Sequence, residues 1–387
     1  MKALWIILSV TCPLALSPTV LNAQKTWVVD GARGAGYDFD AISPAIVAAQ
    51  DGDSIVVRPG TYAFPSFINK GVRLLGQPGA ILDLGKPVAT PFTITGISAG
   101  KTFVLSRFVI VASYAKNGVY RVVGNQGVVS LEDLGCVVGI PYNDAVIVNG
   151  CNAVSFARCY IPSGLDILNS NASFDSCVID AAATKPAVLC QKSNVTFTST
   201  SANSISISYP KANPALQSIG SHIRIANGRG SKWTASAYYW AQNSALEGDA
   251  QSSLLLDPLT TLVSTNNANP HSGFGTVGTR RLPSLRVTGT AIGWPHTAEV
   301  VAAGTSSYAL FVGLAGQPTA TMFGDLMIDP ATLFHVASGT VPPNGLISFP
   351  VSLTNDSRFV GYSIGWQVLG IDGTNQDLTN VAITTLR

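Results

Sequence analysis

Five related six-residue segments between residues 103 and 200 decide the fold of this chain. They are Phe103-Val-Leu105-Ser-Arg-Phe108, Val129-Ser-Leu131-Glu-Asp-Leu134, Val154-Ser-Phe156-Ala-Arg-Cys159, Ala172-Ser-Phe174-Asp-Ser-Cys177 and Val195-Thr-Phe197-Thr-Ser-Thr200. The first and third positions of each segment are apolar and alternate as side chains do on one face of a strand. The last positions are 26, 25, 18 and 23 residues apart. Such a period is typical of solenoids, in which short strands stack into one continuous core.

A second strand and a polar turn precede three of these segments. The strands are Ala145–Val148, Leu165–Leu168 and Ala187–Cys190, and the turns are Asn149–Asn152, Asn169–Asn171 and Gln191–Asn194. Asn suits the left-handed backbone of a tight corner, and stacked Asn side chains can hydrogen-bond from coil to coil. Two or three short strands per turn predict a right-handed parallel β-helix. A leucine-rich repeat is disfavoured because its consensus and its helical half are missing.

The composition suits a secreted β-protein. Only 11% of the 387 residues are charged, against about 25% in ordinary domains, so Ser, Thr, Asn and Gly must build much of the surface. The net charge of +2 gives no electrostatic case for nucleic acid or an anionic membrane as partner. The length allows one long solenoid and one smaller domain.

Residues 1–23 are predicted to be a secretory signal. Lys2 supplies the positive start, Ala3–Val10 the apolar core and Leu21–Ala23 a cleavage site. An uncleaved anchor is the alternative, but this apolar core is too short to span a bilayer alone. We therefore expect a secreted or cell-surface protein with no membrane span after signal removal.

Five cysteines remain after the signal: Cys136, Cys151, Cys159, Cys177 and Cys190. Cys159 and Cys177 occupy the same rung of adjacent coils. They can be small buried thiols, or a disulfide can join them in an oxidising compartment. The spacing of the cysteines and histidines does not fit a zinc site.

A short helix is predicted ahead of the coils. Ile42, Ala45, Ile46 and Ala49 fall at i, i+3, i+4 and i+7, which is one face of a helix. Such a helix can cover the open apolar end of a solenoid and its unpaired strand edges.

The stretch from Phe39 to Tyr62, ending Gly52-Asp-Ser-Ile-Val-Val-Arg-Pro-Gly-Thr-Tyr62, and the following Gly71-Val-Arg-Leu-Leu-Gly76 carry a family resemblance. Together they resemble the opening of the pectin-lyase-like right-handed parallel β-helix proteins. The resemblance implies coils from about residue 54 to about residue 230. That superfamily includes pectate and alginate lyases, polygalacturonases and adhesins. The Gly-His-Gly and Arg-x-Lys patterns of polygalacturonases and the Trp-x-Asp-His pattern of pectate lyases are absent from this sequence, which argues against standard pectinase chemistry.

The chain is predicted to have four parts. They are the signal peptide (1–23), the β-helix with its N-terminal cap (24–235), an irregular connecting region (236–281) and a small C-terminal β-sandwich-like domain (282–387). The last part shows separated strands such as Tyr308–Gly313 and Leu346–Val351, divided by Gly, Pro and Asn turns.

Several charged residues are candidates for catalysis. Resemblance to the lyases implies a Lys or Arg base, often with calcium, and the candidates are Lys185, Arg224, Arg229 and Lys232. A hydrolase needs paired carboxylates, for which Asp144 and Asp166 of adjacent coils are candidates. All six can instead be ordinary surface charges or turn formers. No metal-binding loop is recognised and no cofactor is expected, apart from calcium if the protein is a lyase.

Aromatic residues are candidates for stacking on sugar rings. They are Trp233, Tyr238, Tyr239 and Trp240, whose alternative role is packing in a core. The four histidines are dispersed outside the regular coils, and no Ser/His/Asp arrangement can be derived from them.

Two functions follow as expectations. The first is a secreted or surface protein that binds or organises extracellular or cell-wall polysaccharide without standard pectinase chemistry. The second is a polysaccharide lyase, or a glycoside hydrolase, acting on an acidic polysaccharide. A groove that gathers Lys and Arg with carboxylates would favour catalysis, whereas a smooth face of Ser, Thr and Asn would favour binding.

Overall fold

The computed structural model describes residues 25–85, 91–112, 118–138, 146–162, 164–180, 185–203, 213–226, 231–235, 242–288, 295–352, 363–379 and 381–385. Within these ranges the chain forms a right-handed parallel β-helix followed by an antiparallel domain, as predicted. The predicted signal peptide lies outside the described residues.

Each coil of the β-helix contributes strands to three parallel sheets. In the described residues, sheet 1 has the order β1 (Thr26–Val29), β2 (Ser54–Val57), β5 (Arg73–Gly76), β8 (Thr102–Ser106), β11 (Val128–Glu132), β14 (Ala153–Ala157), β17 (Asn171–Asp175), β20 (Asn194–Thr198), β23 (His222–Ala226), β26 (Ser253–Leu256) and β29 (Thr276–Thr279). The five repeated segments that decided the prediction begin in this sheet.

Sheets 2 and 3 close the coils. The described part of sheet 2 consists of two separate groups of paired strands. The first contains β3 (Gly60–Ala63), β6 (Ala80–Asp83), β9 (Val109–Ala112) and β12 (Gly135–Val138), and the second contains β15 (Tyr160–Pro162), β18 (Val178–Asp180), β21 (Ser201–Asn203), β24 (Lys232–Thr234) and β27 (Thr261–Val263). The described part of sheet 3 runs through β4 (Phe67–Ile68), β7 (Phe92–Thr95), β10 (Tyr120–Val123), β13 (Val146–Asn149), β16 (Leu165–Leu168), β19 (Val188–Gln191), β22 (Leu216–Ile219), β25 (Leu246–Glu247) and β28 (His271–Ser272).

The apolar positions of successive coils stack inside the β-helix. Phe156, Phe174 and Phe197 occupy equivalent positions of sheet 1 and are fully buried. Their ring centroids lie 4.6 Å and 5.0 Å apart. The Trp233 ring packs edge-on against Phe197 at the end of this stack, with a distance of 4.8 Å between the ring centroids. The periodic pattern therefore builds one continuous core.

The polar corner between sheets 3 and 1 is bonded from coil to coil. On its outer side, the Asn194 Nδ2 donates a hydrogen bond to the Asn171 Oδ1 at 2.9 Å, as expected for stacked Asn. On its inner side, buried hydroxyls take this role. For example, the Ser170 N–H donates to the Ser193 Oγ at 3.2 Å. The inner bonds satisfy backbone groups that the corner would leave buried without partners.

The N-terminal helix α1 (Ile42–Ala48) covers the first coil. Its Ile42, Ala45 and Ile46 side chains are buried and belong to the β-helix core. The predicted apolar face of this helix is therefore confirmed.

The β-helix extends further than predicted. Strands β25 to β29 continue the three sheets in parallel register up to Thr279. The prediction of an irregular connecting region over residues 236–281 is therefore wrong for these strands, and the boundary at residue 235 lies too early. The spacing of these late coils is uneven, since Arg224 pairs with Leu255 after 31 positions and Ser253 pairs with Thr276 after 23. Two of their strands, β25 and β28, are also only two residues long, which is too short to show an alternating pattern.

The C-terminal domain is built from two antiparallel sheets. One contains β30 (Ser284–Thr288), β31 (Pro295–Val301) and β35 (Leu346–Ser352), and the other contains β32 (Ser307–Thr321), β33 (Gly324–Ile328), β34 (Phe334–Thr340), β36 (Ser363–Asp372), β37 (Asn375–Leu378) and β38 (Ala382–Thr385), with a 3₁₀ helix at Pro330–Thr332. Residues of both sheets share a core around Trp366. The predicted β-sandwich-like domain is confirmed.

This domain folds back onto the outer face of sheet 1. Strand β32 lies against β11, and β38 lies against β14. Ser130, Glu132 and Ser155 point away from the β-helix core, yet all three are buried. The second domain therefore covers polar side chains on this face of the β-helix.

The cysteines are thiols in the structure. Cys136, Cys151, Cys159, Cys177 and Cys190 are all free and buried. Burial raises the pKa of the Cys136 thiol to about 12. The structure therefore agrees with the interpretation of small buried residues rather than with a disulfide between Cys159 and Cys177.

Candidate functional site

A groove with a volume of 350 Å³ lies where the C-terminal domain meets sheet 1. One wall is the outer face of β17, β20, β23 and β26. The opposite wall is formed by residues around Asp325 and by Leu378, Thr379 and Val381. Junctions between domains are common places for ligand sites, and this volume falls in the range of such sites, about 300–1,000 Å³.

A row of polar side chains runs along the sheet wall. Asn171, Asn194, His222 and Ser253 are direct neighbours in the parallel register, so they follow one another at about 4.8 Å. The His222 Nδ1 lies 2.7 Å from the Ser253 Oγ. Asn194 and His222 are exposed, while Asn171 and Ser253 are half-buried. The row therefore offers hydrogen-bonding groups to the groove at a constant spacing.

A second row lies deeper in the same wall. It consists of Ser173, Thr196, Arg224 and Leu255, again in direct register. The Arg224 Nη1 lies 3.6 Å from the Asp377 Oδ1 of the C-terminal domain. Burial lowers the pKa of Arg224, while the nearby Asp377 opposes this shift. The wall thus carries one cation held by an interdomain ion pair.

Apolar side chains complete the groove. Leu255, Met327, Leu378 and Val381 contribute to its lining. A groove that combines a polar row with apolar side chains can bind a ligand through hydroxyl groups and through an apolar face at once.

The structure separates the predicted basic residues. Arg224 lies in the groove on sheet 1, whereas Lys232 is exposed on sheet 2. The Lys185 Nζ lies 3.9 Å from the Asp166 Oδ2, and Asp166 belongs to sheet 3. The three described candidates therefore lie on three different faces, and they do not form the basic cluster that would favour a lyase. Asp144, Arg229, Tyr238, Tyr239 and Trp240 lie outside the described residues.

Trp233 does not lie on a surface where sugar could bind. Its side chain is fully buried and packs on Phe197 inside the β-helix. The strand β24 directs Trp233 inward and its neighbours Lys232 and Thr234 outward, because alternate residues of a strand face opposite sides. The candidate sugar-binding role of Trp233 is therefore corrected to core packing.

The pairing of His222 with Ser253 and the contribution of Asp325 to the groove were not predicted from the sequence. Ser253 lies in the stretch that was predicted to be irregular. It contacts His222, 31 positions earlier in the chain, because the two residues are in register on neighbouring coils. A signal was present, since Ile223 and Ile225 alternate as Leu254 and Leu256 do. Asp325 reaches the groove only through docking of the C-terminal domain.

Metal-binding clusters and membrane-spanning helices are both absent from the described residues. In the described ranges, no group of three or more His, Cys, Asp and Glu side chains is placed to hold a metal ion. The same part of the chain contains no helix with the length and apolar character needed to cross a membrane.

The chain was also compared with known proteins. No family model matches the sequence. No curated protein sequence matches it either. Similar solved structures include the pectin methylesterase PemA from Erwinia chrysanthemi, with 13% identity, 67% of this chain and 81% of that chain covered, and a TM-score of 0.37.

Two other solved structures are similar at the same level. The pectate lyase Pel9A is 11% identical over 66% of this chain and 80% of its own, with a TM-score of 0.35. PfbA, a surface adhesin of Streptococcus pneumoniae, is 9% identical over 62% of this chain and 77% of its own, with a TM-score of 0.32. Similarity at this level does not extend to activity, because one fold hosts many functions. The parallel strand order of its sheets makes the described part of the chain a right-handed parallel β-helix followed by an antiparallel β-domain.

Proposed function

We propose that this protein is a secreted or cell-surface module that binds an extracellular polysaccharide in the groove between sheet 1 and the C-terminal domain. The observation that carries the proposal is the row of Asn171, Asn194, His222 and Ser253, which faces a wall of apolar side chains with the carboxyl group of Asp325 among them. A polysaccharide repeats its hydroxyl groups along its length, so a row of polar groups at constant spacing is complementary to it.

The chemistry of the groove favours binding over cleavage. Ser, Thr and Asn side chains form most of its polar lining, with Asn171, Ser173, Asn194, Thr196 and Ser253 on the sheet wall. These side chains donate and accept hydrogen bonds but are neutral. This largely neutral lining supports the proposal of a binding module.

A lyase acting on an acidic polysaccharide is the second candidate. It is favoured by Arg224, because a cation in the groove wall could neutralise the carboxylate of a uronate unit. Such a reaction would yield an unsaturated product, whereas binding alone would leave the polymer intact.

Affinity electrophoresis and calorimetric titration of the full chain against polygalacturonate, alginate and neutral glucans test the proposal. We expect binding of at least one polymer, weakened about five- to tenfold in the N171A/N194A variant by loss of two hydrogen-bonding side chains. The matched control is Gln217→Ala, which removes an outward amide from sheet 3, far from the groove wall, and should bind normally.

Ultraviolet absorbance recorded in the same mixtures separates the two candidates. A rise in absorbance that Arg224→Ala abolishes would show the lyase. Absence of binding across the panel by a folded sample, or equal affinity of the N171A/N194A variant, would overturn the binding proposal.

A further inference from the structure

His222 and Ser253 form a pair with the geometry of a base and a nucleophile. The His222 Nδ1 lies 2.7 Å from the Ser253 Oγ, within the range of 2.6–3.2 Å expected for such pairs. In the tautomer with its proton on Nε2, the imidazole accepts the serine proton at Nδ1. Both side chains line the groove, so a ligand there can reach them.

Two registered residue pairs, His222 with Ser253 and Arg224 with Leu255, lie next to each other on the outer face of sheet 1. His222 faces Ser253 across the strand pair, and Arg224 faces Leu255 two residues further along. Residues i and i+2 share one face of a strand, at about 6.6 Å. His222 and Leu255 are thus the direct neighbours of Ser253 on this face, and Arg224 lies diagonally opposite it.

The side chains of these two pairs are chemically suited to the parts of an ester. A carbonyl carbon at the Ser253 Oγ can direct its oxygen towards the positive charge of Arg224, which favours the oxyanion of a tetrahedral intermediate. The small acyl group can lie against Leu255, and the alcohol part can extend along the row of Asn194 and Asn171.

We infer that His222 and Ser253 form an esterase site that removes small acyl groups from the polysaccharide bound in the groove. The ligand class rests on the proposed function, but the chemistry of the pair can be tested without any polysaccharide. The site acts on O-acyl esters and leaves glycosidic bonds intact.

The reaction balances with water as the only co-reactant. The Ser253 Oγ bonds to the carbonyl carbon while its proton passes to the His222 Nδ1. The bond from that carbon to the alcohol oxygen then breaks, and the imidazole returns the proton to the leaving alcohol. Water attacks the acyl-serine, again with His222 as base, and releases the carboxylic acid and free Ser253.

Labelling with a fluorophosphonate probe tests the nucleophile directly. We expect one covalent adduct on the full chain, placed on Ser253 by peptide mass mapping and lost in the S253A variant. The H222Q variant should label at least about 100-fold more slowly, because general-base catalysis contributes about 10²–10⁴ in rate. No adduct on the folded wild-type chain, or an adduct that S253A retains, would overturn the inference.

Hydrolysis of p-nitrophenyl acetate provides the second readout. We expect S253A and H222Q each to lower the enzymatic rate at least about 100-fold. Thr276→Ala is the matched control, because Thr276 is the next hydroxyl in register with Ser253, one coil further on, and it should keep the wild-type rate. Equal rates for S253A and the wild type would contradict the esterase assignment.

Polysaccharide binding measured on the same samples separates this inference from the proposed function. Binding without labelling or ester hydrolysis would overturn the esterase site and leave the binding module in place. Labelling of Ser253 without polysaccharide binding would support the esterase pair and overturn the proposed ligand.

Discussion

Asp175 shows how the second domain changes the chemistry of a single side chain. It ends strand β17 on the outer face of sheet 1 and is buried. The Ser176 Oγ donates a hydrogen bond to its Oδ1 at 3.1 Å. Burial raises the pKa of Asp175 to about 6, although Arg158 and Arg286 act in the opposite direction. Arg286 belongs to β30, so both domains influence this carboxyl group.

The raised pKa predicts a pH-dependent stability. Between about pH 4 and 6 the folded state keeps a proton on Asp175 that the unfolded state has released. The free energy of unfolding should therefore fall as the pH rises through this window, by up to about 3 kcal/mol, and stay lower above it. Asp175→Asn should remove this dependence and stabilise the protein at neutral pH.

Urea unfolding of the wild type and of Asp175→Asn across the window checks this expectation. Asp372→Asn is the control, because Asp372 is an exposed carboxyl group and its replacement should leave the pH profile unchanged. The same decline in stability with pH in Asp175→Asn and in the wild type would contradict the assignment.

At the scale of elements, the aromatic stack joins the coils of sheet 1. Phe174 lies between Phe156 and Phe197, with ring centroids at 4.6 Å and 5.0 Å, and is fully buried. Each coil contributes one ring and depends on its neighbours to bury it. Loss of a central ring should therefore affect several coils together.

We expect Phe174→Ala to lower the free energy of unfolding by about 3–5 kcal/mol, because it removes a buried ring and leaves a cavity. Chemical denaturation followed by circular dichroism measures the change. Val137→Ala serves as control, since Val137 on sheet 2 is 57% exposed and should change stability by less than about 0.5 kcal/mol. Similar losses for both variants would argue against the stack as a stabilising element.

At the scale of the whole molecule, Asp377 holds the two domains together. Its Oδ1 accepts a hydrogen bond from the Arg280 Nη2 at 2.7 Å and lies 3.6 Å from the Arg224 Nη1. Arg280 lies just after the last coil and Arg224 on sheet 1. A carboxylate from the C-terminal domain thus pairs with two cations of the β-helix side, one of which lines the groove.

We expect Asp377→Ala to weaken docking of the C-terminal domain by about 1–3 kcal/mol, because it leaves two partly buried cations without their shared partner. Differential scanning calorimetry should show the C-terminal domain unfolding at a lower temperature, separated from the β-helix. Asp372→Ala controls for the general loss of a carboxylate. An unchanged single transition in Asp377→Ala would show that apolar contacts alone determine docking.

Much of the fold could be predicted because its signals are local. The alternation of Val154 and Phe156 marks a strand face within one segment, and the spacing of Ile42, Ala45 and Ile46 marks a helix face. The coils beyond residue 235 were missed because some of their strands have only two residues and because the spacing changes from 31 residues to 23 between successive coils. A periodic pattern is visible only where the period is nearly constant.

The candidate site was predicted much less well. Among the described candidates, only Arg224 lies in the groove, while Lys185 and Lys232 face other sheets and Trp233 is in the core. Closeness in sequence did not predict closeness in space, because Arg224 and Lys232 lie on different sheets of one coil. Their separation follows from the corner between the sheets, which turns the chain onto a new face.

The sequence by itself determined the parallel β-helix, its capping helix and the presence of a second β-domain, because strand and helix faces depend on residues a few positions apart. Only the tertiary structure decided that the C-terminal domain covers sheet 1, that Asp377 meets Arg224, and that His222 stands opposite Ser253. These contacts join residues tens of positions apart or more. They depend on the register of the coils and on the packing of the two domains. Both of these are set by many residues along the chain and not by any one local pattern.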